Sequence, residues 1–258
     1  MDLLNVQNLS KTFGGLAAVK DISLRVEKGQ IVSLIGPNGA GKSTVFNLLT
    51  GIYTPDTGRV EFDGKLLGNH KAYEYVDIGM VRTFQNVRLY KPLSVLDNVL
   101  IGAQSKIRYS AFDTLFNTPK KRRIEAEARE KAIKLLEEMG LAEFIGQRCD
   151  SLAYGQQKKI EIVRAMASEP QLLLFDEPAA GLNDQESIEL SEFIQSLIPR
   201  GFTVMLIEHD MNLVMKISDY VYVMDHGEML SHGKPDEVMR DQRVIEAYVG
   251  KRGVKHDT

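Results

Sequence analysis

The chain has 258 residues, 43% of them hydrophobic and 26% charged, which is enough apolar material for one large domain, or a domain with a subdomain, and excludes a disordered or fibrous chain. Its net charge of −3 gives no general electrostatic reason to bind nucleic acid, and the lone cysteine, Cys149, excludes an intrachain disulfide and reads as a buried, inert thiol in a reducing compartment. No run reaches the roughly 18 apolar residues of a membrane-spanning helix, and Met1-Asp2-Leu3-Leu4-Asn5 lacks the basic start of a signal peptide, so any membrane association is expected through a partner.

In chain order, Leu3 to Leu9 and Asp21 to Val26 read as short strands. Ile31-Val32-Ser33-Leu34-Ile35 is an apolar run rich in β-branched residues, and it feeds Gly36-Pro37-Asn38-Gly39-Ala40-Gly41-Lys42-Ser43. That octet fits G-x-x-x-x-G-K-[ST], whose backbone N–H groups wrap nucleotide phosphates while the lysine meets the β/γ oxygens. Thr44 to Leu49 opens a helix, so the glycine-rich turn lies at a helix N-terminus, where anions bind. Ser43 can offer its hydroxyl to Mg²⁺. A nucleoside triphosphate is therefore the expected ligand.

Arg59 to Phe62, before Asp63-Gly64, reads as another strand, and Met80 to Val81 as a further short one that leads into Thr83-Phe84-Gln85. Between Asn86 and Ser151 strand patterns vanish. Ile124, Ala128, Ala132, Leu135, Leu136 and Met139 instead recur at helical spacing, which marks a helical insert packed on the core. The basic run Pro119-Lys120-Lys121-Arg122-Arg123 is followed by Glu125, Glu127 and Glu130 and reads as a solvated helix start. Leu152-Ala153-Tyr154-Gly155-Gln156-Gln157 is a second glycine-bearing turn before a helix. A second anion site needs a second phosphate, most simply supplied by the nucleotide of another copy or a homologous subunit.

Leu172 to Phe175, Thr203 to Ile207 and Tyr220 to Val223 are continuous apolar runs between helical stretches, the pattern of buried parallel strands. Asp176 and Glu177 follow the first of these, at the carboxyl end where open α/β sheets bind ligands. Asp176 suits Mg²⁺ or its water shell, and Glu177 suits polarising the attacking water. His209 leaves the sheet at the same edge and can donate to a γ-phosphate. Gln85 can touch metal or water there, or serve only as a polar strand-end residue.

Taken together these residues resemble the ATP-binding subunit of ABC transporters, in the family's order: phosphate loop 36–43, glutamine loop at Gln85, signature 152–156, Walker B 172–177, then His209. The resemblance implies an α/β fold: a P-loop NTPase core with a mostly parallel, helix-covered sheet, N-terminal antiparallel strands and an inserted helical subdomain. Residues 1–85 and 157–258 would form the core, with the β-subdomain and C-terminal helices, and 86–156 the helical subdomain carrying the signature. It also implies ATP and Mg²⁺ as cofactors. ATP would sit on Gly36, Pro37, Asn38, Gly39, Ala40, Gly41, Lys42, Ser43 and Thr44, with Phe13 stacking on adenine and Val19 nearby. The metal would be met by Ser43, Gln85 and Asp176; Glu177, His209 and Gln85 would act in hydrolysis. Ala153, Tyr154, Gly155 and Gln156 would address a partner's ATP.

Two departures stand out. The usual Leu-Ser-Gly-Gly-Gln is here Leu-Ala-Tyr-Gly-Gln, without the serine hydroxyl, and Asn183 in Ala179-Ala180-Gly181-Leu182-Asn183 replaces a frequent aspartate. These, with Gln156-Gln157-Lys158-Lys159 and the ending Ala247-Tyr248-Val249-Gly250, resemble the subgroup serving branched-chain amino-acid importers. The implied partners are a second ATP-binding subunit, transmembrane permease subunits that meet Val87 to Tyr90, and indirectly a substrate-binding protein; no nucleic acid is expected. The implied place is the cytoplasmic face of the cell membrane, held there by the permease. The alternatives are the ATPase of another transporter of this fold, such as a lipopolysaccharide exporter, a soluble ABC ATPase acting on nucleic acid or ribosomes, and a nucleotide sensor without turnover.

Overall fold

The computed structural model describes residues 2–68, 70–83, 85–107, 110, 113, 116 and 118–249; Met1, Phe84 and Gly250, quoted above, lie outside them. Among the described residues the strands form two sheets. One is antiparallel, in the order β2-β1-β4-β5, built from β1 (Asp2–Phe13), β2 (Leu16–Glu27), β4 (Thr57–Phe62) and β5 (Lys65–Leu66). The other runs β10-β9-β3-β8-β7-β6, from β3 (Ile31–Ile35), β6 (Met80–Arg82), β7 (Leu172–Asp176), β8 (Thr203–Ile207), β9 (Tyr220–Asp225) and β10 (Glu228–Gly233). All its pairings are parallel except the β9–β10 hairpin.

Strands β3, β7 and β8 are buried at every position, as continuous apolar runs in a parallel sheet covered on both faces should be. Side chains alternate between the faces. Leu172 and Leu174 enter a core shared with Leu4, Val6, Phe46 and Leu49, whereas Leu173 and Phe175 enter one shared with Val99, Leu136, Ile160 and Val163. β1 and β2 extend beyond the apolar stretches because they pair down to Lys11↔Val19, Thr12↔Ala17 and Phe13↔Leu16, around the Gly14-Gly15 turn. β10 has no comparable apolar pattern; its place comes from pairing with β9.

The first of these cores holds α1 (Lys42–Leu49), and the short α2 (Glu74–Ile78) adds Tyr75 to it. The helical part comprises α3 (Val95–Ala103), α4 (Pro119–Glu138) and α5 (Tyr154–Met166). Thr118 caps α4 by accepting the Lys121 N–H, and Pro119 takes the first turn, where its missing donor costs nothing. Ala132, Leu136 and Met139 are buried in the core that α4 shares with α3 and α5, while Ile124 and Ala128 are half-buried. The basic start of α4 is matched by Lys121–Glu125 and Arg123–Glu127 pairs, each at 3.6 Å. Helix α5 runs unbroken through residues 156 and 157, the expected edge of the helical unit, and joins that unit to the sheet. Beyond it lie α6 (Asp184–Gln195), α7 (Met211–Ile217), α8 (Pro235–Arg240) and α9 (Gln242–Val249). Val214, Val238 and Val244 from the last three helices pack with Ile35, Val221 and Val223.

Candidate functional site

The phosphate loop turns from β3 into α1 under tight steric limits. Gly36 has φ 149°, and a Cβ there would stand 2.1 Å from the Met224 carbonyl oxygen on β9. Gly41, at φ 99°, is the N-cap of α1, and its Cβ would meet the Ala18 carbonyl at 2.4 Å. Neither place admits a side chain without moving a strand. No side chain caps α1 and no acid occupies its first turn, so the helix start keeps N–H groups for an anion. Lys42 is buried, and its Nζ donates to the carbonyls of Gly36 at 2.8 Å and Pro37 at 3.0 Å. Residues 38–44 line a cavity of about 550 Å³ with Leu16, Ala17, Ala18 and Glu177. Its bare helix end and the lysine fit the phosphates of a nucleotide.

The ends of β6, β7 and β8 deliver the acidic and polar groups to the same edge. Asp176 closes β7 beside Arg82 of β6, with the guanidinium 2.5 Å from its carboxylate. Arg82 also donates to Asn47 Oδ1 of α1 at 2.7 Å and lies over the Phe46 ring at 5.7 Å, so β6, β7 and α1 meet on one cation. Glu177 follows with φ 48°, a left-handed backbone rare for a residue with a side chain, and its N–H donates to the Ile207 carbonyl at 3.0 Å. Its Oε2 accepts from Gln85 Nε2 at 2.8 Å and is 3.8 Å from His209 Nδ1. Gln85, Glu177 and His209, distant in sequence, are thus neighbours. The His209 side chain is well exposed.

Glu208, fully buried, ties two loops of this edge together. Its carboxylate accepts the N–H of Ala179 at 2.8 Å and of His209 at 3.0 Å. Burial pushes its pKa up, and those main-chain donors pull the other way.

The signature residues lie elsewhere. Ala153 is the N-cap of α5 and supplies no side-chain oxygen; its own N–H donates to Gln156 Oε1 at 3.1 Å. The Tyr154 ring edge packs against Gly181, and Gly155 packs against Glu186 at the start of α6. None of Ala153, Tyr154, Gly155 and Gln156 lines the phosphate-loop cavity among the described residues. Phe13 is also outside that wall, exposed and edge-on to Tyr53 at 5.0 Å, while Val19 is buried in the core beneath. Cys149 is buried, accepts from Asn98 Nδ2 at 3.2 Å, and has its thiol pKa raised by burial.

Arg82 and Glu208 are missing from the sequence-based candidates, as is Lys158 as a contact of Gln85. The available signals were a charge ending an otherwise apolar strand and an acid at a strand's carboxyl end.

Known proteins resemble this chain along most of its length. The family model "ABC transporter" matches residues 19–180, and "Branched-chain amino acid ATP-binding cassette transporter" matches residues 228–254. The chain is 45% identical over 250 residues to the high-affinity branched-chain amino acid transport ATP-binding protein BraF of Pseudomonas aeruginosa, covering 96% of this chain and 98% of that one. It is 44% identical to LivG, of the same description, from Escherichia coli, with the same coverage. Among solved structures it resembles the ADP conformation of an ATP-binding cassette of an ABC transporter, at 35% identity and a TM-score of 0.84 over 97% of this chain and 99% of that one. A nucleotide-free ATP-binding cassette gives 34% identity and a TM-score of 0.83 over 96% and 99%. The chain belongs to the ABC transporter family as one of its ATP-binding, ATP-hydrolysing cassettes.

Proposed function

We propose that this subunit energises an importer of branched-chain amino acids, docked on permease subunits at the cytoplasmic face of the membrane. The cargo follows from the relatives' descriptions and from the match at residues 228–254. Attachment through a permease accords with the chain's own helices, none of which, among the described residues, is long and apolar enough to cross a membrane. Val87 to Tyr90 is the face offered to the permease.

The observation that carries the catalytic reading is the junction of Gln85, Glu177 and His209 beside the phosphate-loop cavity. Residues 36–44 hold the phosphates of ATP, with Lys42 turning from the loop carbonyls to the β/γ oxygens and Phe13 stacking on adenine. Glu177 orients and deprotonates the attacking water, His209 donates to the γ-phosphate, and Gln85 sets the Glu177 carboxylate. Ser43, Gln85 and Asp176 are hard oxygen donors suited to Mg²⁺, which when bound neutralises charge on the transferred phosphate.

A second subunit completes each pocket. The signature turn at 153–156 does not line its own chain's cavity, so its free service is to a partner's ATP. Binding closes the pair and hydrolysis reopens it. The test is Glu177→Gln with ATP, followed by light scattering in the presence of the permease subunits: a stable closed pair is expected, and a monomer refutes the scheme. Uptake of leucine, isoleucine and valine by the reconstituted complex tests the cargo.

A further inference from the structure

The segment that leaves β6 at Gln85 is strung along the signature helix. Lys158 of α5, only 3% exposed, donates from Nζ to the Gln85 carbonyl oxygen at 2.8 Å. Three residues on, Glu161, 2% exposed, accepts the Arg88 N–H at 2.9 Å. Three further on, Arg164 donates to the Arg88 carbonyl and lies 3.6 Å from Glu161. Steps of three place these side chains on adjoining turns of one helix flank, facing the same stretch of backbone.

Gln85 is therefore gripped from two sides. Its main-chain carbonyl is held by α5, and its side-chain amide by Glu177 after β7. An ammonium buried on a helix is unfavourable unless its hydrogen bonds and counter-charges are in place. Burial draws the Lys158 amine down, and Glu161, Glu208, Glu177 and Asp176 push it back up, so this cation lies within the field of the catalytic carboxylates. Its Nζ also lies over the ring of Tyr154 in the signature turn, 5.5 Å from the ring centre. One side chain thus touches the turn that addresses a partner's nucleotide and the backbone of the residue that sets the hydrolytic carboxylate.

We propose that Lys158 is a positioning residue for hydrolysis: it fixes Gln85 against Glu177 and makes that pose follow the signature helix. When Tyr154 and Gly155 engage the partner's ATP, the displacement of α5 reaches Gln85 through this one ammonium–carbonyl contact. A protomer is thereby told, through its own Lys158, that its signature is engaged. The inference rests on the role proposed above for Gln85, and the variants are chosen to separate the two.

Steady-state ATP hydrolysis by the full chain is measured for Lys158→Met, Lys158→Arg, Gln85→Ala and Lys158→Met/Gln85→Ala. Lys158→Met is expected to lower kcat by about tenfold or more with KM for ATP within about twofold, because alignment is lost and nucleotide contacts are kept. Lys158→Arg, which retains the donor, should recover most of the rate. In the Gln85→Ala background the methionine should add no further loss, since Lys158, which holds the main-chain carbonyl of residue 85, acts through the side-chain contact with Glu177 that the alanine has already removed. An unchanged kcat in Lys158→Met, losses that multiply in the double variant, or equal losses in Lys158→Met and Lys158→Arg would each overturn the proposal. If Gln85→Ala lowers kcat and Lys158→Met does not, only the role of Lys158 fails; if Gln85→Ala is itself silent, the reading of Gln85 fails and takes this one with it. Should Lys158→Met not fold, Lys158→Leu, which likewise lacks a donor, is read against the same outcomes.

Discussion

Replacing Glu177 with glutamine removes a proton acceptor and one negative charge, and leaves an amide that can still meet Gln85. A general base typically contributes about 10²–10⁴-fold, so Glu177→Gln should lower phosphate release by that order while calorimetry finds ATP affinity intact. Undiminished turnover would remove Glu177 from the mechanism. Lys42→Ala should act in the other way and weaken ATP binding itself, by at least about tenfold if a charge-assisted contact to phosphate is lost; an unchanged affinity by calorimetry would count against the loop as the phosphate site. At this scale the sequence was readable wherever the chemistry is local. Lys42 and Ser43 sit in one contiguous motif, and Asp176, Glu177 and His209 each follow an apolar run that ends at the same sheet edge. The tasks of Arg82 and Glu208 were not readable beyond a charge at a strand's end, because what defines them is a partner 94 residues away for Arg82 and 29 residues away for Glu208. Those contacts exist only once β6, β7 and β8 are in register, with Arg82 beside Leu174 and Asp176 beside Ile207.

Among the elements, α5 begins in an unusual way. Its N-cap is Ala153, so only half of a capping box forms, through Gln156 Oε1 and the Ala153 N–H. A serine supplies the missing acceptor for the N–H of Gln156. Ala153→Ser should therefore raise stability by about 0.5–2 kcal/mol, read as a higher urea midpoint at constant slope; no rise would show that the turn already satisfies those donors. By contrast α6 has the full device, with Asn183 Oδ1 accepting the Glu186 N–H at 2.9 Å and Glu186 Oε2 accepting that of Asn183 at 3.1 Å. Asn183, a departure from the resembled pattern, thus has a capping task of its own. The strands most legible beforehand were β3 and β8, whose limits coincide with their apolar runs because both faces are covered. β10 was illegible since Glu228 to Gly233 carries little apolar character, and its partner strand alone defines it. The limits of the helical unit were blurred for a related reason: α5 belongs to both bodies, so no composition shift marks the join.

For the molecule as a whole, α9 closes the chain's last core with Val244 and the half-buried Tyr248, next to Ile35 at the root of the phosphate loop. Burial pushes the Tyr248 hydroxyl up to about 12 from an ordinary 10.0. Across that interval the unfolded chain gives up this proton before the folded one, so the contribution of Tyr248 to stability falls as pH rises from 10.0 towards 12. The difference in melting temperature between the natural chain and Tyr248→Phe should shift against the natural chain over that range, and a difference that stays constant with pH would show the hydroxyl to be solvated. The overall architecture, a parallel sheet faced by helices with an antiparallel sheet beside it, follows from a few continuous apolar runs. Their spatial order, β9-β3-β8-β7-β6, does not, since it depends on crossovers that no local pattern encodes.

The parallel sheet sends alternate residues of β7 to opposite sides, Leu172 and Leu174 to one and Leu173 and Phe175 to the other. It behaves as a bulkhead. Ala40, Val45 and Phe46, which support the phosphate loop, lie on one side of it, and the packing of α3, α4 and α5 on the other. The apolar packing under the nucleotide and that of the three helices therefore make no common core, and a cavity cut into one by a large-to-small substitution leaves the side chains of the other in place.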